Sequence, residues 1–200
     1  MSNDLIVLDG NSLTIEELIS IKEMSTKVKL SDASIIAINE SRKLVEEIVS
    51  SGDIVYGINT GFGALSNVTV PKEQLEQLQT NLIRSHACGV GEHMDPDSVL
   101  MMMLVRVNSL AKGNSGARLE LIQLLIDMIN SRIAPIVPRI GSLGASGDLA
   151  PLSHMTLAMM GESESQLQLN DGTWITDDSF NILKKNDLEP ITLQAKEGLS

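Results

Sequence analysis

Cysteine is almost missing from this chain. Cys88 is the only one in 200 residues, which excludes an internal disulfide and any CxxC metal site, and three scattered histidines do not make up the deficit. No metal is therefore expected, and a reducing, cytoplasmic setting is the simplest fit to this cysteine usage. Positive charge is scarce as well. Fifteen Lys+Arg against 26 Asp+Glu leave a formal net charge of −11 with no basic cluster as a local exception, so phosphate backbones and anionic lipid are repelled. Neither nucleic acid nor a membrane surface is an expected partner. No uncharged apolar run reaches about 18 residues, and Met1-Ser2-Asn3-Asp4 lacks the basic start of a signal peptide, so neither a membrane span nor a targeting segment is expected. Aromatics amount to 2%, namely Trp174, Tyr56, Phe62 and Phe180, which leaves the core to Leu, Ile, Val and ten Met. With 42% hydrophobic and 20% charged residues and only 6 prolines, disordered and low-complexity classes drop out. A chain of this length buries about 70% of its unfolded surface, enough for a real core.

What is present reads mainly as helix. Thr14-Ile15-Glu16-Glu17 has the form of a capping box and predicts a helix over about 14 to 25, capped by Thr14. Apolar positions at spacings of three and four predict a second helix over about 32 to 51, stopped by Gly52. Pro71 and Pro96 each suit a first helical position, the latter behind a cap at Asp95, giving helices near 72–87 and 96–112. On the first of these, Leu75, Leu78, Leu82 and His86 fall on one stripe. Residues 116–131 are apolar almost all round, a pattern that predicts burial inside a helical assembly with neighbours this chain scarcely provides, and hence self-association. Gln166-Leu167-Gln168-Leu169 and Thr173-Trp174-Ile175 flank Asn170-Asp171-Gly172, a hairpin signal, and a short helix over about 177 to 185 follows. No internal repeat or linker divides the chain, so residues 1–200 read as one domain.

Two loops carry candidate chemistry. Tyr56-Gly57-Ile58-Asn59-Thr60-Gly61-Phe62-Gly63 places the only tyrosine beside three glycines, where backbone can approach a ligand; a packed tyrosine in an ordinary turn fits the same residues. The second loop, Gly141 to Gly147 with Asp148-Leu149-Ala150-Pro151-Leu152-Ser153-His154 after it, contains a serine among small residues. It does not fit GxSxG, because Ala145 precedes Ser146, and it has neither GK[ST] nor GxGxxG, so no nucleotide is expected. Ala145-Ser146-Gly147 suits another reaction. The amide nitrogen of Gly147 can attack the Ala145 carbonyl, and loss of water, including the Ser146 hydroxyl, leaves an exocyclic methylidene. Glycine tolerates the strained backbone, alanine adds little bulk and serine supplies the leaving hydroxyl.

This loop resembles the prosthetic-group segment of the aromatic amino acid ammonia-lyases, whose 4-methylidene-imidazole-5-one (MIO) forms from Ala-Ser-Gly. The Tyr56 to Gly63 stretch is similar to the family's tyrosine loop. Asn81-Leu82-Ile83-Arg84-Ser85-His86-Ala87-Cys88-Gly89-Val90-Gly91, Arg106-Val107-Asn108-Ser109-Leu110-Ala111-Lys112-Gly113-Asn114-Ser115-Gly116 and Leu8-Asp9-Gly10-Asn11-Ser12-Leu13-Thr14 resemble family blocks in the same order. The Ser85-His86 pair is similar to that of the histidine-specific members. The resemblance implies a mainly α fold, an N-terminal MIO-bearing domain with a small β-hairpin near 166–175, the central long-helix bundle lying in later family blocks. It implies a carbon–nitrogen lyase of histidine catabolism that converts L-histidine to urocanate and ammonia, with a tyrosine ammonia-lyase, an aminomutase or a non-catalytic helical interaction domain as alternatives. It also implies a homotetramer.

By the same resemblance Ala145, Ser146 and Gly147 become MIO, beside a helix beginning near Asp148 whose N–H groups favour electron density arriving there. Tyr56 removes the β-proton, and His86 and Gly61 bind substrate. A phenol titrates near 10, so base work near neutral pH calls for roughly 4 kcal/mol of preferential stabilisation of the phenolate. Family chains run to more than twice this length, and Lys196-Glu197-Gly198-Leu199-Ser200 resembles the start of a further block, so the chain reads as an N-terminal part, expected to be inactive alone. The other candidates are structural. His154 sits on a buried helix, His93 reads as exposed, Cys88 lies two residues from His86 and cannot face it on a helix, and Met101 to Met103 read as core filling.

Overall fold

The computed structural model describes residues 5–61, 68, 70–142 and 147–199. It is mainly helical, and its strands lie in short sheets. Strand β1 (Leu5–Leu8) pairs in parallel with β2 (Lys27–Leu30), a sheet that the sequence reading does not include. Ile6, Leu8, Val28 and Leu30 point inward, whereas Leu5, Val7, Lys27 and Lys29 face solvent. Between these strands, α1 (Ile15–Ser20) begins at the reciprocal Thr14–Glu17 capping box. It stops short of the expected residue 25; the Thr26 hydroxyl donates to the Ser20 carbonyl at 2.8 Å as the chain turns into β2. Helix α2 (Asp32–Ser51) runs from a Ser31 cap to Gly52, whose φ of 79° closes it as expected.

The core is built on two central helices. Helix α4 (Pro96–Leu110) starts at Asp95, whose carboxylate takes the Ser98 N–H, with Pro96 in the first turn. Its Val99, Leu100, Met103, Leu104 and Val107 have no exposed surface. Helix α5 (Leu119–Asn130) packs against α4, α2, β2 and β4 (Ile133–Pro135), and Leu121, Ile122, Leu124, Leu125, Ile126, Met128 and Ile129 are all buried. The expectation that this helix lacks neighbours within the chain is therefore wrong: apolar residues all round the helix meet elements distant in sequence, so its surface is closed internally. At about 1.5–3 kcal/mol per buried aliphatic side chain, this pair dominates the favourable side of folding. Helix α5 also starts later than expected, since Ser115–Arg118 is not helical and the Arg118 N–H goes to Glu197 instead.

Helix α3 (Leu75–His86) follows a 3-10 turn, Lys72–Gln74. Strand β3 (Val90–His93) pairs antiparallel with β5 (Pro138–Ile140), a second sheet absent from the sequence reading. Helix α6 (Leu149–Met159) packs on α3. The expected hairpin is present as β6 (Glu164–Gln168) and β7 (Trp174–Asp178), with β4 adding a third strand, and α7 (Ser179–Lys185) follows behind an Asp178 cap. Among the described residues no helix is long and apolar enough to cross a membrane.

Candidate functional site

Tyr56 stands on a turn held by its neighbours. Asn59, 6% exposed, accepts the Val55 N–H at 2.9 Å and donates to the Asp53 carbonyl at 2.7 Å, so the side chain closes the loop beneath the tyrosine. Gly61 is buried, and its N–H goes to the Val68 carbonyl at 2.9 Å. Tyr56 itself is 61% exposed on this turn. Phe62 and Gly63 lie outside the described residues.

His86 ends α3 and is half-buried. Its Nδ1 lies 2.8 Å from the Leu82 carbonyl oxygen, which can only accept, so a proton sits on Nδ1, and in the neutral ring Nε2 carries the lone pair. Ser85 Oγ donates to the same carbonyl at 2.8 Å and lies 3.0 Å from Nδ1. The buried line of α3 is Leu75, Gln79 and Ile83, with Leu78, Leu82 and His86 half-buried on its flank, so the apolar stripe lies slightly to one side of where sequence spacing puts it.

The flanks of the Ala-Ser-Gly loop come back to the turn that follows His86. A Cβ on Gly141 would stand 2.9 Å from Gly89 Cα and 3.1 Å from Ala150 Cβ, so backbone meets backbone there with no room for a side chain. Gly89 N–H donates to His154 Nε2 at 3.1 Å, which gives His154 the structural role expected of it. Gly147 is exposed with φ at 82°, a conformation that favours glycine. Asp148 caps α6 without a side-chain bond to the helix, its Oδ1 accepting from Ser142 Oγ at 2.6 Å, so the first-turn N–H groups keep their positive end at the Gly147 side of the helix. Ala145 and Ser146 lie outside the described residues.

The comparisons with known proteins decide what this arrangement belongs to. The family model for aromatic amino acid lyases matches residues 13–200. The chain belongs to the aromatic amino acid lyase family. A Staphylococcus aureus histidine ammonia-lyase is 48% identical over 98% of the chain, which covers 38% of that relative. The crystal structure of histidine ammonia-lyase from Trypanosoma cruzi superposes with a TM-score of 0.89 at 41% identity, over 98% of this chain and 37% of that one. Tyrosine aminomutase from Streptomyces globisporus is similar too, with a TM-score of 0.84 at 36% identity over 97% of this chain and 35% of that one. The chain thus spans well under half the length of these relatives.

Within this lyase domain a cavity of about 660 Å³ runs along α4 to the start of α6, lined by Met94, Met101, Met102, Val105, Arg106 and Leu152 among others. Of the methionines read as core filling, Met103 is fully buried, whereas Met101 and Met102 are half-buried and also line this groove. Burial pushes the Arg106 guanidinium below its ordinary value. His93 and Cys88 are exposed, and among the described residues no group of His, Cys, Asp or Glu is arranged to hold a metal. Sequence reasoning gave no role to Asn59 or Glu197, which it quoted only as parts of longer blocks, nor to Gln79 or Arg118; each of the last three has a bond that reaches across more than 70 positions. A polar Gln79 between Leu75 and Ile83 at spacings of four was the one available signal.

Proposed function

We propose that these residues form the N-terminal, MIO-forming domain of a cytoplasmic, tetrameric enzyme that converts L-histidine to urocanate and ammonia. The observation that carries the reading is His86: with Nδ1–H committed to Leu82, its Nε2 is an acceptor suited to an imidazole N–H, at the end of a helix packed against α6. The 48% identity to a histidine ammonia-lyase supports histidine as the substrate.

The residues around the loop fit MIO. At Gly147 no described residue lies within 4 Å of where a Cβ would stand, and α6 begins two positions on, with its first-turn N–H groups at the Gly147 end. When formed from Ala145, Ser146 and Gly147, MIO supplies an electrophile that makes the substrate amine a competent leaving group. The other roles fall to side chains of this chain. His86 holds the substrate ring through Nε2, and buried Gly61 allows close approach along the tyrosine loop. Tyr56 takes the β-proton at its hydroxyl oxygen, the C–H electron pair becoming the new double bond as ammonia departs with the C–N pair.

The test is to assay the intact enzyme with L-histidine and L-tyrosine, and to weigh the peptide containing residues 145–147. Urocanate from L-histidine and a mass low by two waters are expected, with both lost in Ser146→Ala. Preferential turnover of L-tyrosine would transfer the reading to the lyases and aminomutases of that substrate, and an unmodified peptide in active enzyme would refute the assignment of MIO. The 200 residues alone are expected to give no urocanate, since Tyr56 and Gly147 stand open to water.

A further inference from the structure

Glu197, in the 3-10 turn Glu197–Leu199, has a fully buried side chain, and both carboxylate oxygens are saturated. Oε1 accepts from Arg118 Nε at 2.8 Å and the Arg118 N–H at 3.0 Å, and Oε2 from Arg118 Nη2 at 2.8 Å and the Gln194 N–H at 2.7 Å. Arg42 Nη1 stands 3.9 Å from Oε1 and donates to the Ala195 and Gly116 carbonyls. A buried ion pair of this kind adds little net stability over an apolar replacement; what it does is hold one geometry. The geometry held here is that of residues 194–198 against α3.

Gly198 N–H donates to Gln79 Oε1 at 2.8 Å, and a Cβ on Gly198 would stand 3.2 Å from Leu82 Cδ2 and 3.3 Å from Gln79 Cα. Gly198 therefore lies flush on α3 between Gln79 and Leu82. Leu82 is the residue whose carbonyl takes the His86 Nδ1 proton. Gln79 is fully buried, and its Nε2 has no hydrogen-bond partner among the described residues. An apolar side chain would avoid that unpaired donor, so the amide at 79 is explained by what its other end holds.

We infer that Gln79 and Glu197 are positioning residues for His86: Glu197 fixes the strap, the strap seats Gly198 on the last turns of α3, and that seat holds the Leu82 carbonyl where it keeps the His86 proton on Nδ1. This deepens the reading of His86 as a substrate contact, and its structural half stands apart from that reading. Two replacements of nearly unchanged shape probe it, Gln79→Met and Glu197→Gln. Imidazole nitrogen NMR on the chain, which has three histidines, reports the His86 tautomer directly. Nδ1 protonated and Nε2 bare is expected in the parent, moving toward the mixture of a free imidazole in both variants. In the intact enzyme, KM for L-histidine should rise on the order of tenfold with kcat nearly unchanged. In a His86→Leu background Gln79→Met should add less than about twofold, because the residue it positions is gone. Should Glu197→Gln fail to fold, Gln79→Met decides. A folded Gln79→Met with unchanged His86 tautomer and KM overturns the inference, as does an equal loss with and without His86. A tautomer shift in a protein inert toward L-histidine upholds the positioning and refutes the substrate reading.

Discussion

His154 offers a pH-dependent test of how α6 is joined to the turn that follows His86. Its Nε2 accepts the Gly89 N–H at 3.1 Å, tying α6 to the turn that follows His86. Protonation would replace that lone pair with a second N–H pointing at the first, so the bond exists only in the neutral form. Burial, with the charge of nearby His93 as a lesser cause, holds the His154 imidazole below its ordinary value. The folded pKa is thus lower than the unfolded value of about 6.5, and the unfolded chain binds the proton more readily. Stability from this contact is complete above about pH 6.5 and is lost as pH falls through that value and then through the folded one. One neutral hydrogen bond is worth about 1 kcal/mol, or about 2–4 °C in Tm for a chain of this size. The half-exposure of His154 keeps the effect at this modest end. Thermal unfolding of the parent and His154→Leu at about pH 8 and about pH 5.5 provides the assay. The variant should melt lower at the higher pH, with Gly89 N–H left unpaired, and the gap should narrow on acidification as the parent loses the same bond. Exposed His93 is common to both proteins, so its contribution largely cancels. A gap that stays constant or widens in acid would show that the imidazole is not an acceptor here.

The remaining expectations separate chemistry from scaffold. Tyr56→Phe in the intact enzyme should cut turnover by about 10²–10⁴ while the two-water mass loss at residues 145–147 persists; an unchanged rate would return Tyr56 to a packing role. Leu125→Ala, at a site 1% exposed, should lower the urea unfolding free energy by about 2–5 kcal/mol. Gly113→Ala should cost about 1–3 kcal/mol, because φ is 69° and the new Cβ would stand 2.5 Å from Ala37 Cβ; a variant as stable as the parent would show that α2 yields.

What could be read in advance is what neighbours in sequence decide. Thr14 and Glu17 form their capping box within one turn, Asp95 and Pro96 start α4 on the spot, and Asn170-Asp171-Gly172 turns the hairpin, since each depends on residues a few positions apart. Helix α5 marks the boundary: its apolar periodicity was legible, but periodicity does not say which elements cover a surface, and those that do are α2, α4, β2 and β4. Strands β1 and β2 escaped because four residues carry too little alternation to stand out. The block from Arg106 to Gly116 was legible only as a likeness, and the structure supplies its physics: Asn108 Oδ1 accepts the Gly10 N–H at 3.1 Å, and Gly113 lets α2 approach. Of the candidate site, Tyr56, His86 and the Ala-Ser-Gly loop came from motif and resemblance. The roles of Gln79 and Glu197 could not, because the bond from Gly198 to Gln79 spans 119 positions.

Burial divides the molecule into a closed scaffold and an open rim. The apolar side chains of α5 and the inward face of α4 are covered by the chain's own elements, while Tyr56 is 61% exposed, Gly147 is exposed and His86 is half-buried. Exposed positions away from caps and buried networks generally change stability by less than about 0.5 kcal/mol, so the scaffold does not depend on the reactive side chains. The reverse dependence is strong. Tyr56 reaches its place through Asn59, His86 through Leu82 and Gly198, and Gly141 by lying against Gly89. An acid–base reaction tolerates displacements well under an ångström, so groups set on a rim need such supports to act together. Losses of function without loss of fold should therefore cluster at the rim and at these few supports, whereas core substitutions lower the amount of folded protein and leave the chemistry of what remains unchanged.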